Sequence, residues 1–269
     1  MTVPNFGLGT FRLKDDVVKD SVRNALEVGY RAIDTAQGYG NEGEIGEVLA
    51  QSGVSRSELY LTTKIKPDNY SADKLVASLR ESVEKLGVDH VDLTLIHWPA
   101  PKGPVRPEEY LTALADAQQQ GLTKEIGVSN FTVALLQNAK EILGDTQIAT
   151  NQVEIHPYLQ NRTLAEFARA EGLHLTSYMT LAVGKVMDDP VMQAIAEKHS
   201  ANPAQIALAW ALQQGYSVIP SSTKRDHLES NMKALELILS DEDMAQIATL
   251  DKGGAERLAN PASVAPDWD

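Results

Sequence analysis

Cysteine is absent from all 269 residues. That one gap excludes disulfide frameworks, thiolate zinc sites, iron–sulfur clusters and thiol nucleophiles. Basic residues are scarce beside acidic ones: 24 Lys plus Arg face 37 Asp plus Glu, a net charge of −13. A surface so acidic repels phosphate backbones and anionic lipid, so neither nucleic acid nor a membrane is expected as a partner. Long apolar runs are also missing. The longest, Ile206 to Leu212, falls well short of the roughly 20 residues a membrane span needs. The opening Met1-Thr2-Val3-Pro4-Asn5 lacks the basic-then-apolar pattern of a secretory leader, and a soluble cytoplasmic protein is expected. The remaining composition, 43% hydrophobic with 18 Gly and 12 Pro, suits an ordinary globular chain with a large core.

One unit recurs along the chain: an amphipathic stretch, a glycine, then a short β-branched or apolar run ending in polar residues. Gly29 precedes Tyr30–Asp34, Gly53 precedes Leu59–Lys64, Gly87 precedes Val91–His97, and Gly121 precedes Glu125–Ser129. Gly172 precedes Leu173–Tyr178 and Gly215 precedes Tyr216–Pro220, while further strands fit Phe6–Thr10 and Ala149–Glu154. Between them, stretches such as Val17–Val28, Ala72–Lys85, Pro107–Gln120 and Thr163–Glu171 repeat apolar residues every three or four positions, as helices do. Eight β-then-α repeats are compatible with a closed (β/α)8 barrel and with an open doubly wound sheet. No Ser/Gly linker or low-complexity tract divides the chain, so residues 1–269 read as one domain. The stretch from Gly253 to Asp269 is expected to lie over it as irregular structure.

In parallel α/β folds the chemistry gathers at the carboxyl ends of the strands. Those ends are Asp34, Lys64, His97, Ser129-Asn130, Gln152–Glu154, Tyr178 and Ser221-Ser222, with Tyr39 in the loop five residues past Asp34. Each has a mundane explanation: a turn carboxylate, a solvated lysine, a packing histidine, an amphipathic loop tyrosine. Taken together they are a chemical set. A tyrosine gives up a proton near neutral pH only when its pKa, about 10 when free, is brought down by a nearby cation. Lys64 supplies that cation and Asp34 its counter-charge.

The segments that surround these residues resemble the aldo-keto reductases. They are Phe6-Gly7-Leu8-Gly9-Thr10, Asp34-Thr35-Ala36 with Tyr39 and Asn41-Glu42, Ile96-His97-Trp98-Pro99, Ile126–Phe131 and Ile219-Pro220-Ser221-Ser222. The resemblance runs almost end to end. It implies an α/β fold of the TIM-barrel type and a monomeric enzyme with a nicotinamide cofactor, usually NADPH, with NADH weaker. It also implies reduction of small aldehydes and ketones of the diketogluconate and methylglyoxal kind.

Carried onto this sequence, the resemblance makes Tyr39 the general acid, Lys64 the group that tunes it, Asp34 the partner of Lys64, and His97 the group that orients the carbonyl. It gives Ser129, Asn130 and Gln152 to the nicotinamide carboxamide, Tyr178 to its ring, and Thr10, Leu181, Ser221 and Ser222 to the rest of the cofactor. Asn231 matches the adenine-binding asparagine. Two departures concern the cofactor phosphate: Ser221 replaces the usual lysine and His227 a usual arginine, which leaves Lys224 and Arg225 to hold a 2′-phosphate. In the substrate pocket, Lys66 stands where relatives place a tryptophan and Phe11 replaces another aromatic, with Trp98 remaining. Such a wall is small and cationic and favours short polar carbonyls. Two placements of Lys66 stay open: against a substrate carboxylate, or turned to solvent on its extended stem.

Three other readings compete. Gly38–Gly43 spells G-x-G-x-x-G between a strand and a helix, the dinucleotide fingerprint, but the next strand ends in Lys64 rather than an acid. A metal-dependent hydrolase would need histidine spacings such as H-x-H or H-E-x-x-H, and none occurs, so no metal is expected. A barrel that senses cofactor without turnover would not require the full set of Asp34, Tyr39, Lys64 and His97.

Overall fold

The structure, a computed structural model, describes residues 2–269; Met1, the first residue of the expected domain, lies outside the described residues. Eight strands run parallel in chain order: β1 (Leu8–Gly9), β2 (Ala32–Asp34), β3 (Tyr60–Ile65), β4 (Val91–Ile96), β5 (Thr123–Ser129), β6 (Ile148–Glu154), β7 (Leu175–Tyr178) and β8 (Ser217–Val218). The last returns to the first. Phe6 bridges Val218 in parallel, and the Gly7 N–H donates to the Val218 carbonyl at 2.9 Å. A Cβ at Gly9 would sit 2.5 Å from the Ile219 carbonyl oxygen, so glycine is what lets these two strands meet. The sheet is a closed (β/α)8 barrel.

Closure also shows inside the lumen, where Gln152 on β6 donates to Asp34 on β2 at 2.7 Å. In a flat sheet strands four apart would be separated by roughly 19 Å. The unreversed strand order leaves no topological switch point, so G-x-G-x-x-G at 38–43 has no Rossmann crevice to serve. A Cβ on Gly43 would meet nothing within 4 Å, so this glycine does not permit close helix–strand packing either.

The helices are α1 (Asp15–Val28), α2 (Glu42–Gln51), α3 (Ala72–Leu86), α4 (Pro107–Gln119), α5 (Val133–Leu143), α6 (Arg162–Glu171), α7 (Pro190–Lys198), α8 (Pro203–Gln213), α9 (Arg225–Met232) and α10 (Asp241–Ala248). In α3, Leu75, Leu79, Val83 and Leu86 recur at helical spacing and are buried against the barrel. Gly87, at φ 67°, then returns its N–H to the carbonyls of Val83 and Glu84. The longest apolar run of the sequence is the interior of α8. Pro203 and the reciprocal Asn202–Gln205 capping box start that helix, and Ile206 to Ala211 are buried on every side.

The outermost expected strands are shorter than the sequence suggests: β1 and β8 keep two residues each where five were expected. Two helices, α7 and α8, occupy the stretch between β7 and β8 where the repeat calls for one. Positive φ at Met179, Ala182, Val183 and Gly184 prevents a regular helix directly after β7. The chain becomes helical only where Asp189 accepts from the Val191 and Met192 N–H groups and Pro190 follows it.

One apolar layer lies between barrel and helices; a smaller one, Tyr60, Leu93 and Leu95, fills the lumen. Residues 257–269 lie irregularly across the body. The Leu258 and Ala259 N–H groups donate to buried Glu154 at 2.8 and 2.7 Å, and Ala100 N–H donates to Val264 O at 3.1 Å. Among the described residues no helix is long and apolar enough to cross a membrane.

Candidate active site

Strand alternation decides which side chains enter the lumen. On β3, Leu61 and Ile65 pack outward in the helix-facing layer, and Lys64 points inward, where it is fully buried. Its ammonium donates to the Asp34 carboxylate, to the Thr35 carbonyl at 2.9 Å and to the Tyr39 hydroxyl at 3.3 Å. Asp34 has no free oxygen: Lys64 takes one and Gln152 the other. Thr10 supports Asp34 from behind, with its N–H and hydroxyl both on the Asp34 carbonyl, at 3.1 and 2.9 Å.

Burial lowers and Asp34 raises the Lys64 pKa, with Tyr39 adding to the rise; the net direction is up, so Lys64 stays charged. Tyr39 corrects the simple expectation from sequence. Burial pushes its phenol up, and Lys64 offsets only part of that, with Asp34 opposing Lys64. The hydroxyl therefore stays protonated at neutral pH. Lys64 favours the phenolate form, though by less than burial opposes it.

His97, just past β4, packs edge-on against Tyr39 with ring centroids 5.6 Å apart. Burial, and then the Lys64 charge, push its pKa down to about 3. A neutral imidazole results, and its ring nitrogens have no hydrogen-bond partner among the described residues.

At the ends of β5 to β7 the amides and hydroxyls expected at the nicotinamide form one connected set. Asn130, at φ 64°, donates to His97 O at 3.0 Å and Ser129 Oγ at 3.2 Å, and it accepts from the Tyr178 hydroxyl at 2.7 Å. Ser129 donates to Gln152 O at 2.7 Å. The Oε1 of Gln152 has no hydrogen-bond partner among the described residues and is an acceptor of the kind an amide NH2 needs. Leu181 follows in the irregular turn after β7.

Across the mouth, Ser221 and Ser222 lead from β8 to α9. The Ser222 carbonyl accepts from Ser21, and the Lys224 N–H donates to Ser222 Oγ at 3.1 Å. Lys224 is exposed and pairs with no carboxylate among the described residues, whereas Arg225 is held by Glu27 and, at 3.1 Å, by Glu229. The two cations expected at the phosphate therefore differ in availability. Asn231 is buried on α9. An exposed cation, an amide–hydroxyl set and an aromatic ring around one mouth fit a phosphorylated nicotinamide dinucleotide.

Phe11 adjoins Tyr39, with centroids 5.2 Å apart, and the Arg12 guanidinium lies 5.0 Å over the Phe11 ring. Trp98 meets Trp268 edge-on at 6.4 Å, and Arg257 stacks 3.6 Å over Trp268. Lys66 leans toward Asp68 at 3.9 Å and stays 43% exposed. Sequence reasoning missed Arg12, Gln37, Arg257 and Trp268. A tryptophan in an otherwise polar terminal stretch was the available signal for the last.

Residues 5–252 match the sequence profile of the Aldo/keto reductase family, and the chain belongs to that family. It is thus an enzyme of carbonyl reduction. It is 58% identical to the methylglyoxal reductase DkgB of Escherichia coli O157:H7 over 269 residues, all of both chains. A crystal structure described as a candidate 2,5-diketo-D-gluconic acid reductase B superposes with a TM-score of 0.95 at 40% identity, covering 99% of this chain and 94% of that one. The Bombyx mori aldo-keto reductase solved with NADP has a TM-score of 0.87 at 31% identity, covering 93% and 90%.

Proposed function

We propose that the whole chain acts as one NADPH-preferring reductase of short, polar aldehydes and ketones, methylglyoxal and diketogluconate-like keto acids among them, with NADH a weaker cofactor. The observation that carries the reading is the Tyr39 hydroxyl 3.3 Å from a buried, carboxylate-paired Lys64. The names of the E. coli relative and of the diketogluconate neighbour support the substrate class. Ser129, Asn130, Gln152 and Tyr178 would hold the nicotinamide end, and Thr10, Leu181, Ser221, Ser222, Lys224, Arg225 and Asn231 the remainder. The chemistry a bound reduced nicotinamide supplies is a hydride for the carbonyl carbon.

Tyr39 gives its phenolic proton to the carbonyl oxygen as negative charge develops there. The Lys64 ammonium stabilises the phenolate left behind. Asp34, fixed by Gln152 and Thr10, keeps that ammonium charged and aimed. Neutral His97 offers a ring N–H that orients the carbonyl oxygen without bringing a second cation into the lumen. Phe11, Trp98 and Lys66 border the substrate, and Lys66 meets its carboxylate when there is one.

Assaying a carbonyl panel with NADPH and NADH in parallel tests the assignment. Short dicarbonyls and keto acids should be turned over faster than bulky aromatic aldehydes, and NADPH should outperform NADH. Tyr39→Phe should lose at least about a thousandfold in kcat while binding NADPH within about twofold of the parent. Activity within a few-fold of the parent would remove Tyr39 as the acid.

A further inference from the structure

Tyr39 sits in an unusual support. It occupies a single 3-10 turn, Gln37–Tyr39, between Gly38 and Gly40, and a Cβ at either glycine would meet nothing within 4 Å. Flanking glycines and open space give this turn more freedom than the strands beside it. Behind it lies a polar cleft of about 250 Å³, bordered by Gln37, Glu42, Lys66, Asn69 and the Ser78–Ser82 face of α3. The Tyr39 ring packs against Phe11 and His97, but on the cleft side no side-chain packing fixes the turn.

Hydrogen bonds hold it instead. Downstream, buried Asn41 donates to the carbonyls of Thr10 and Leu13, both at 3.0 Å. Upstream, beyond the Lys64 bond to the Thr35 carbonyl, Gln37 is the side chain that ties the turn to its neighbours. Gln37 Oε1 accepts from the Lys66 N–H at 3.1 Å and from Asn69 Nδ2 at 3.0 Å, while Nε2 donates to Ser78 Oγ at 3.1 Å and Ser82 Oγ at 3.2 Å. All four amide valences point to fixed groups on two other elements. Lys66 is two residues beyond Lys64 on the same run of chain, so the bond to its N–H ties the tyrosine turn to the strand that carries the lysine.

We propose that Gln37 is a positioning residue that sets the separation of the Tyr39 hydroxyl and the Lys64 ammonium. The proposal rests on the assignment of Tyr39 as the acid. Without Gln37 the glycine-flanked turn drifts over the cleft, and the hydroxyl spends less time within reach of the ammonium. Coulomb attraction and the 3.3 Å contact both weaken, and the phenolate becomes costlier to form. The titratable groups that face the hydroxyl are Lys64, Asp34, His97 and Tyr178. His97 is neutral and Tyr178 protonated, so Lys64 is the only one of them that lowers its pKa.

Gln37→Ala should reduce kcat by about 10- to 100-fold, the scale of an ångström-level misplacement. KM and the NADPH dissociation constant should stay within about twofold. The diagnostic is the pH profile. Reduction needs the phenol and alcohol oxidation the phenolate, so with Lys64 farther away the alkaline limb of one and the acidic limb of the other both move to higher pH. Asn69→Ala, which removes one of the four bonds, should move both limbs the same way by less, and it provides the test if Gln37→Ala fails to fold. Limbs that stay in place in whichever variants fold, beside an inactive Tyr39→Phe, would overturn the role of Gln37 and leave a structural side chain. An active Tyr39→Phe would instead overturn the acid assignment beneath it.

Discussion

The two sides of the barrel mouth handle charge in opposite ways. At the ends of β2 and β3, Asp34 and Lys64 are buried, in contact, and bonded on every side by Gln152, Thr35 and Tyr39. Past β8, Lys224 and Arg225 are exposed, and Arg225 shares its charge with Glu27 and Glu229 at the surface. Buried charges are strongly coupled, and either one alone is costly; surface charges are screened and replaceable. The first side should therefore tolerate no substitution, whereas the second can be retuned, which agrees with the chain having Ser221 in place of a lysine there.

The largest effect should come from breaking the buried pair. Lys64→Met should reduce kcat by at least about a thousandfold with NADPH affinity little changed. Asp34→Asn should destabilise the fold by about 3–5 kcal/mol in urea unfolding, because it strands a buried ammonium. If Asp34→Asn unfolds like the parent, the pair is solvated and the contrast between the two sides fails.

His97 gives the next effect and sharpens the comparison through pH. Its folded pKa of about 3 lies below the usual value near 6.5, so the unfolded chain binds the extra proton first. The corresponding stability is fully present above pH 6.5 and is lost as pH falls from there toward 3. On the order of a few kcal/mol is at stake. His97→Gln should flatten the decline of Tm across that window, while the parent should show no loss of stability from this group between pH 6.5 and 8. An equally steep decline in the variant would mean that other groups carry it.

On the exposed side the changes should be modest and specific to the phosphate. Lys224→Ala should weaken NADPH by about three- to tenfold and NADH not at all, as loss of one exposed charge contact implies. Arg225→Ala should do less, because Glu27 and Glu229 already occupy it. Ser221→Lys should tighten NADPH by a few-fold. Equal changes for the two cofactors would show that this rim does not read the phosphate.

Smallest of all is Lys66→Ala, which should raise KM about two- to threefold for keto acids and leave neutral carbonyls alone, since Lys66 already leans on Asp68. A uniform change, or none, would leave Arg12, stacked over Phe11 beside Tyr39, as the nearer cation.

Much of this could be read without coordinates. Glycines after amphipathic stretches marked the helix ends because only a left-handed residue returns the cap N–H, as at Gly87. Their place at the carboxyl ends of the expected strands made Asp34, Lys64 and His97 mouth residues, and the motifs in chain order named the family. Periodicity is a local property, so it did not choose between an open sheet and a closed barrel. That choice is a long-range one, made where Gly9 lets β1 approach β8 and where Gln152 reaches Asp34 across the lumen. Tertiary structure alone also decided that burial outweighs Lys64 at the Tyr39 phenol, that Arg225 is occupied while Lys224 meets no carboxylate among the described residues, and that Gln37 makes four hydrogen bonds beside a cleft. Each depends on desolvation or on partners far away in sequence, and neither is written in the spacing of a motif.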